Sequence, residues 1–318
     1  MSGTLAGGIA FQAMQTILAV LIAPLMLGWV NQCRAWLQNK KGPGLVQPYR
    51  VINKLFHKDA VLAHSASPLF RAAPYILFAC MWLAVGIVPM LATDLPFAPA
   101  ADVIALVGLF ALARVFISLA AMDIGTSFGT LGARREMMIG FLAEPAMLMT
   151  LFTASLISHS TSLVTIVETL GQREFVIYPS MAFAATAFLM VLLAENARIP
   201  IDNPSTHLEL TMIHEAMILE YSARHLALVE WASSLKLTAY IALGIAIFAP
   251  WGIAEAGDWT GLLIALPVLL LKLGLAGAGL ALIETVSAKM RIFRAPEFLA
   301  TAFLLATLGM LTHFLLET

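Results

Sequence analysis

Long apolar stretches, separated by short polar segments, run through the whole chain. A helix needs about 20 mostly apolar residues to cross the hydrocarbon core of a bilayer, and eight stretches reach that length. They are residues 8–30, 69–93, 102–122, 137–158, 176–195, 235–253, 260–283 and 295–316. The pattern predicts an all-α integral membrane protein with about eight transmembrane helices, a single polytopic membrane domain over residues 1–318.

The composition supports this prediction. Of the 318 residues, 60% are hydrophobic and 12% are charged, whereas a soluble domain carries about 25% charged residues. The two cysteines, Cys33 and Cys80, lack the spacing of a metal or iron–sulfur site and are too few for a disulfide framework. The N-terminus lacks the basic region and cleavage site of a signal peptide, so we interpret the first apolar stretch as a retained helix.

Lys and Arg are concentrated in alternate loops, which by the positive-inside rule face the cytoplasm. The predicted long cytoplasmic loops are residues 31–68, 123–136 and 196–234, and a short basic connection follows the seventh stretch. The opposite loops carry Asp and Glu, with Arg173 as their one basic residue. Both termini are therefore predicted to lie outside the cytoplasm, with the chain spanning the cell (inner or plasma) membrane several times.

Four ionisable residues fall within or at the end of the apolar stretches, where a charge is costly and its default interpretation is a functional site. They are Arg114, Glu144, Glu195 and Lys272. The alternatives are a structural ion pair inside the bundle and, for Glu195 at a helix end, snorkelling to the interface. For Arg114, neutralisation of a carboxylate is an equally good interpretation.

A second carboxylate precedes Glu144 at helical spacing. Glu136, Gly140 and Glu144 are four residues apart, so both carboxylates project from one face of a helix. Two carboxylates on one face disfavour double ionisation, which makes a proton relay plausible. The alternative is a helix start compensated by Arg135, since acidic residues in a first turn also suit the helix dipole.

The loop at 196–234 is rich in residues that titrate. It carries Asp202, Glu209, Glu215, Glu220, Glu230, His207, His214 and His225. The metal-binding pattern H-E-x-x-H is absent, so a metal site is the weaker interpretation. A proton-conducting or docking segment is favoured, because carboxylates and imidazoles titrate in a usable range.

Three blocks of sequence resemble one family of membrane subunits. The first loop reads RAWLQNKKGPGLVQPYRVINKLFHKD from Arg34 to Asp59. It resembles the first cytoplasmic loop of subunit 1 of respiratory complex I and of its counterparts in membrane-bound nickel–iron hydrogenases. The matching residues of this docking loop include Gly42, Pro43, Gln47, Pro48, Lys54 and Lys58.

The second and third blocks carry the charged residues. GTLGARREMMIGFLAEP (residues 129–145) resembles the family's L-G-A-x-R segment and membrane glutamate, which fall on Arg135 and Glu144. AENARIPIDNP (residues 194–204) resembles the signature E-x-x-R-x-P-x-D. The matching charged residues here and further along the loop are Glu195, Arg198, Asp202, Glu209 and Glu220.

Two further segments favour the hydrogenase branch of this family. MDIGTSFG (residues 122–129) resembles that branch's aspartate followed by T-G-S-P-F, and IETVSAKMRIFRAP (residues 283–296) resembles its E-N-x-x-A-x-x-R. Ser205 and His207 stand where complex I usually carries further acidic residues. The chain is therefore similar to the anchor subunits of hydrogenase-4 and formate hydrogenlyase.

The resemblance implies a membrane anchor subunit that is not catalytic on its own. Its expected cytoplasmic partners are hydrogenase-like large and small subunits and a ferredoxin-like subunit, and antiporter-like subunits would lie beside it in the lipid bilayer. The nickel–iron centre and iron–sulfur clusters are expected in those partners. No cofactor, metal or nucleic acid is expected on this chain itself.

We also predict a carboxylate path that couples electron transfer to proton translocation. The path candidates are Glu136, Glu144, Glu195, Asp202, Glu209, Glu220 and Lys272, and the candidates for tuning pKa values or forming ion pairs are Arg114, Arg135 and Arg198. Three alternatives remain open: a subunit lining a quinone site in a complex I-like enzyme, a stand-alone ion transporter, and a purely structural anchor whose buried charges are ion pairs. The lack of inverted repeats argues against the transporter.

Overall fold

The computed structural model describes residues 2–93, 96, 98–172, 178–202, 212–254 and 259–317. In this part of the chain the backbone is helical apart from turns, loops and two isolated bridges. The α-helices are α1 (Ser2–Leu37), α2 (Gln47–Phe56), α3 (Pro68–Ile87), α4 (Val103–Asp123), α5 (Ser127–Ser158), α6 (Leu163–Gln172), α7 (Pro179–Glu195), α8 (His214–Ile218), α9 (Ala223–Phe248), α10 (Trp259–Val286) and α11 (Ala295–Thr312).

Each of the eight predicted apolar stretches contains one helix of the bundle. Seven of the described helices, α1, α3, α4, α5, α9, α10 and α11, are long and apolar enough to cross a membrane. The remaining stretch is α7, an apolar helix of 17 residues, and it packs against α5 and α11. The prediction of an all-α membrane protein is confirmed. About eight transmembrane helices were predicted, and the described residues contain seven helices long enough to cross a membrane and one shorter apolar helix.

Two predicted loops are shorter than the hydropathy pattern indicated. The segment 123–136 is helical from Ser127, because the Thr126 side chain caps α5 by accepting from the backbone N–H of Gly129 at 3.3 Å. The loop at 196–234 ends at Ser222, where α9 begins. Helices α5 and α9 therefore begin N-terminal to their apolar stretches, because polar side chains on a helix surface do not interrupt its backbone hydrogen bonds.

Helix α5 lies at the centre of the bundle and contacts α4, α7, α8 and α11. Helix α3 packs between α4 and α9, whereas α10 lies at the edge and packs mainly against α1. A stack of buried aromatic rings, Phe110 on Tyr240 with centroids 4.5 Å apart, joins α4 to α9. As a result, one face each of α4, α5, α7 and α9 converges on the same interior volume.

Candidate functional site

The buried Arg114 on α4 forms ion pairs with three carboxylates from two other helices. Its Nε atom lies 3.6 Å from Oε1 of Glu136, and its two terminal nitrogens pair with Glu144 and Glu195. Only 5% of the Arg114 side chain is exposed. Four residues singled out in the sequence are therefore brought together at one point.

The spacing of α5 explains how two of these carboxylates reach one guanidinium. Glu136 and Glu144 lie eight residues apart, a little over two turns, so they share a helix face. Gly140 lies between them, and a Cβ atom at this position would lie 2.7 Å from Cδ of Arg114. The absence of a side chain at Gly140 thus leaves the space that the arginine fills.

A second cation, Lys236 on α9, completes what we call the central cluster: Arg114, Glu136, Glu144, Glu195 and Lys236. The Nζ atom of Lys236 lies 3.0 Å from Oε2 of Glu195, whose side chain is 2% exposed. With every member ionised, three carboxylates face two cations, which leaves one negative charge in excess. The sequence indicated Lys236 only as a basic residue near a loop, because its partner is 41 positions away.

A small cavity of about 40 Å³, lined by apolar as well as charged side chains, borders the central cluster. The charged and polar groups on its wall include Arg114, Glu136, Glu195, His214 and Lys236. At about 10–15 Å³ for each water position, it has room for two or three water molecules. Water there would connect the buried charges to the imidazole of His214 at the start of α8.

A separate group of charges, here named the arginine cluster, consists of Arg34, Arg198 and Glu284. Glu284 on α10 accepts from Arg198 at 3.1 Å through one carboxylate oxygen and from Arg34 at 3.4 Å through the other. Burial lowers the pKa of the Arg198 guanidinium from its ordinary value, while the attraction of Glu284 opposes this shift. Sequence reasoning missed Glu284, although it lies in the segment that resembles the hydrogenase branch.

Asp202, after α7, and Arg135, on α5, both contact the backbone just before or at the start of α8. The Asp202 carboxylate accepts from the backbone N–H groups of Ile213 and His214, at 3.3 and 3.4 Å. Arg135 donates to the carbonyl oxygen of Met212 at 2.7 Å. Glu209 lies outside the described residues. Both side chains therefore hold residues 212–214, at the start of α8, against α5 and the turn after α7.

Glu220 and Lys272 lie apart from these clusters. Glu220 is exposed between α8 and α9. Lys272 on α10 donates to the carbonyl oxygen of Ala249 at 2.6 Å and to that of Trp251, and its Nζ lies 5.0 Å from the centroid of the Trp251 ring. Lys272 thus caps the C-terminal end of α9, where a cation suits the helix dipole.

The predicted docking loop folds into a surface helix. Helix α2 buries Ile52 and Leu55 against Ala227 of α9 and leaves Lys54 and Lys58 exposed. Gly42 precedes the helix. Pro43, Gln47 and Pro48 line a cavity of about 190 Å³ between α1, α2 and α9, and Glu230 lies on the opposite wall.

Two hydrogen bonds join this first loop to the loop before α9. The Ser222 hydroxyl donates to the carbonyl oxygen of Val61 at 2.6 Å and accepts from its N–H at 3.0 Å. The neighbouring Tyr221 stacks on Phe70 and donates to its carbonyl oxygen at 3.1 Å. The two loops therefore form one continuous surface.

Among the described residues, no group of three or more His, Cys, Asp or Glu side chains is placed to hold a metal ion.

The family model described as NADH dehydrogenase matches residues 11–315, nearly the whole chain. The chain belongs to the NADH dehydrogenase family. The resemblance to complex I subunit 1 inferred from the three sequence blocks is thereby confirmed. The region matched by the family model, residues 11–315, includes the central cluster, the arginine cluster and the docking loop.

The curated relatives place the chain in the hydrogenase branch of the NADH dehydrogenase family. It is 33% identical to hydrogenase-4 component C of Escherichia coli over 302 residues, covering 95% of this chain and 94% of that protein. It is 30% identical to formate hydrogenlyase subunit 4 of Escherichia coli over 295 residues, covering 93% and 95%. The similarity to one subunit of the NADH-quinone oxidoreductase of Streptomyces avermitilis is lower, at 24% identity over 264 residues, covering 73% and 55%.

The fold of this family member also matches a solved structure. A chain of the membrane-bound sulfane sulfur reductase, an archaeal respiratory membrane complex, superposes with a TM-score of 0.80. The match covers 97% of this chain and 99% of that chain, at 18% sequence identity. The bundle of this chain is therefore the fold of a subunit of a respiratory membrane complex.

Proposed function

We propose that this chain is the membrane anchor subunit of a hydrogenase-type, energy-converting complex. Its near full-length similarity to formate hydrogenlyase subunit 4 and hydrogenase-4 component C supports this assignment. In such a complex the chain docks a peripheral redox arm and couples electron transfer to proton translocation. The redox chemistry takes place in the partner subunits, and this chain is not catalytic on its own.

The docking surface is the joined pair of loops around α2. It presents exposed cations and exposed apolar side chains together: Lys40, Lys41, Arg50, Lys54, Lys58, Trp36, Phe56 and Val61. Apolar side chains beside cations suit a partner that offers an acidic rim around an apolar centre. The proposed partners here are hydrogenase-like large and small subunits and a ferredoxin-like subunit, which carry the nickel–iron centre and iron–sulfur clusters.

The observation that carries the coupling role is the pairing of Arg114 with three carboxylates inside the bundle. Three carboxylates against two cations leave an excess negative charge in a medium of low dielectric constant, which favours uptake of one proton. The water-sized cavity beside Glu136 and Glu195 offers that proton a route from the loop side. The cluster therefore exchanges a proton whenever a charge change in the redox arm alters the local potential.

The proton would leave the chain at Glu144, the most exposed carboxylate of the central cluster. Its side chain is 35% exposed at the surface of α5, against 10% for Glu136 and 2% for Glu195. A carboxylate at the surface of a membrane bundle requires a polar neighbour. Antiporter-like membrane subunits are the proposed neighbours.

The orientation of the chain is also part of the proposal. Because the basic loops are expected to face the cytoplasm, both termini are proposed to lie outside it.

Substitution of Glu144 by Gln tests the coupling role. Glutamine has the same shape without a titratable proton, so we expect the complex to assemble and turn over while proton translocation is abolished. Glu209→Gln, in the loop, is expected to act in the same way. The measurement is the number of protons moved per electron by the assembled complex in membrane vesicles.

Glu297→Gln is the matched control, since Glu297 is exposed at the first turn of α11 and lies outside the proposed path. It is expected to keep wild-type coupling. If proton translocation persists in both Glu144→Gln and Glu209→Gln, the chain is an anchor without a proton role.

A second function, lining a quinone site, is favoured by one observation. The cavity of about 190 Å³ between α1, α2 and α9 is lined by the docking-loop residues Pro43, Gln47 and Pro48. It combines apolar walls with polar groups from Asn31, Gln47 and Glu230, as small-molecule sites do. Sensitivity of the assembled complex to quinone-site inhibitors, with quinone recovered from the purified complex, would establish this second function.

A further inference from the structure

Glu284 is the buried meeting point of three separate segments of the chain. It lies near the end of α10, its side chain is 1% exposed, and its two oxygens face Arg198 and Arg34. Arg34 is at the end of α1 and Arg198 is in the turn after α7. Through this one carboxylate, the end of the edge helix α10 is tied both to α1 and to the turn after α7.

The turn that Glu284 holds is continuous with the central cluster. Helix α7 ends at Glu195, and the backbone N–H of Arg198 bonds back to the carbonyl oxygen of Leu193 at 2.9 Å. Only two residues thus lie between Glu195 of the central cluster and Arg198 of the arginine cluster. A displacement of Arg198 moves the last turn of α7, which carries Glu195.

A second contact ties the same turn to the segment after α10. The backbone N–H of Met290 donates to the carbonyl oxygen of Pro200 at 2.9 Å. The carbonyl oxygen of Arg198 accepts from the N–H groups of Ile201 and Asp202, at 2.9 and 3.2 Å. The turn 196–202 is therefore held by its own backbone hydrogen bonds, and it is joined to α10 through Glu284 and to the segment after α10 through Met290.

We propose that Glu284 is a positioning residue for proton coupling: by holding Arg198, it fixes the end of α7 and thereby sets the Glu195 carboxylate against Arg114 and Lys236. This inference rests on the proposed function of the central cluster. It assigns a role to α10, whose outward face leaves Leu271, Leu275 and Val286 exposed to whatever lies beside it in the membrane. The Arg198–Glu284 ion pair and the Met290–Pro200 backbone hydrogen bond together connect α10 and the segment after it to the turn that follows Glu195.

The test compares Glu284→Gln with Arg34→Gln in the assembled complex. Arg34→Gln removes one of the two ion pairs of Glu284, whereas Glu284→Gln removes both and releases Arg198. We expect Glu284→Gln to lower the protons moved per electron at least threefold while electron transfer continues, and Arg34→Gln to keep wild-type coupling. Wild-type coupling in Glu284→Gln overturns the inference.

An inverted pair separates positioning from simple structural support. In the Arg34→Gln background, Arg198→Glu combined with Glu284→Arg restores the attraction between α10 and the turn; Arg34 is removed because it would otherwise repel the arginine at position 284. Coupling is expected to recover in this swapped variant, including where Glu284→Gln alone fails to assemble. A swapped variant that assembles and remains uncoupled overturns the inference.

Glu144→Gln in the same membranes distinguishes failure of this inference from failure of the proposed function. If Glu144→Gln is uncoupled and Glu284→Gln is coupled, the central cluster keeps its role and the positioning role of Glu284 is wrong. If Glu144→Gln remains coupled, the proposed function itself fails, and the inference about Glu284 fails with it.

Discussion

The central cluster and the arginine cluster are built from the same chemical groups in opposite proportions. The central cluster sets three carboxylates against two cations, whereas the arginine cluster sets one carboxylate against two guanidiniums. Both are largely buried and each joins at least three segments of the chain. They lie three residues apart along the backbone, at Glu195 and Arg198.

In the proposed function, this difference in proportion separates a cluster that exchanges protons from one that keeps a fixed charge. Guanidinium groups stay protonated in proteins, even where burial lowers their pKa. The arginine cluster therefore holds its geometry over the physiological pH range. The proposed proton uptake, in contrast, needs a cluster with more carboxylates than cations, which only the central cluster of the two provides.

Of the variants considered, removal of Arg114 is expected to have the largest effect on assembly and stability, because Arg114 pairs with all three carboxylates of the central cluster. Arg114→Met leaves three carboxylates, two of them buried, with Lys236 as their one remaining cation in the central cluster. Loss of one partner from a buried ion pair costs about 3–5 kcal/mol. We expect the assembled complex to be nearly lost from the membrane, measured by native gel and by the midpoint of thermal unfolding.

A suppressor variant shows whether this loss is electrostatic. Arg114→Met combined with Glu144→Gln and Glu195→Gln removes the uncompensated negative charges, so assembly is expected to recover in part. If the triple variant assembles no better than Arg114→Met, the arginine acts by filling space beside Gly140 rather than by its charge.

Removal of Lys236 is expected to have an intermediate effect. Lys236→Met leaves Glu195 paired with Arg114 but raises the negative excess of the cluster by one charge. A hydrogen bond to a charged group contributes about 1.5–3 kcal/mol, so the thermal midpoint of the complex should fall without loss of assembly. Lys236→Arg is the control, and it should stay near wild type. Equal losses in both variants would show that the site requires the shape of lysine and not its charge.

The sequence singles out four of the five residues of the central cluster, but it does not show which of them meet. The spacing of Glu136, Gly140 and Glu144 places two carboxylates on one face of a helix, because helical geometry is local. The partners of Arg114 on other helices do not follow from spacing, since helix packing decides which faces meet. Lys236 was missed for this reason, although its apolar neighbours along α9 are typical of a position inside the bundle.

The arginine cluster is further beyond sequence reasoning. Arg34 and Glu284 are 250 residues apart, and Arg198 and Glu284 are 86 residues apart. Arg198 was predicted to act on the carboxylates of the path, and the structure instead places it against Glu284. The spans themselves were predictable because each apolar stretch is a property of its own residues, and α7 shows the limit, being about one turn shorter than the hydropathy pattern indicated.

The smallest expected effect comes from Arg34, and it decides whether the positive excess of the arginine cluster is needed. Arg34 is 25% exposed and lies 3.4 Å from Glu284, whereas Arg198 is more buried and closer. This ion pair is long and its cation partly exposed, so its loss costs less than that of a fully buried pair, and Glu284 keeps Arg198 in Arg34→Gln. The thermal midpoint of this variant should therefore lie within a few degrees of wild type, above that of Lys236→Met. A midpoint as low as that of Lys236→Met would mean that Glu284 needs both arginines, and the two clusters would then share a requirement for full charge pairing.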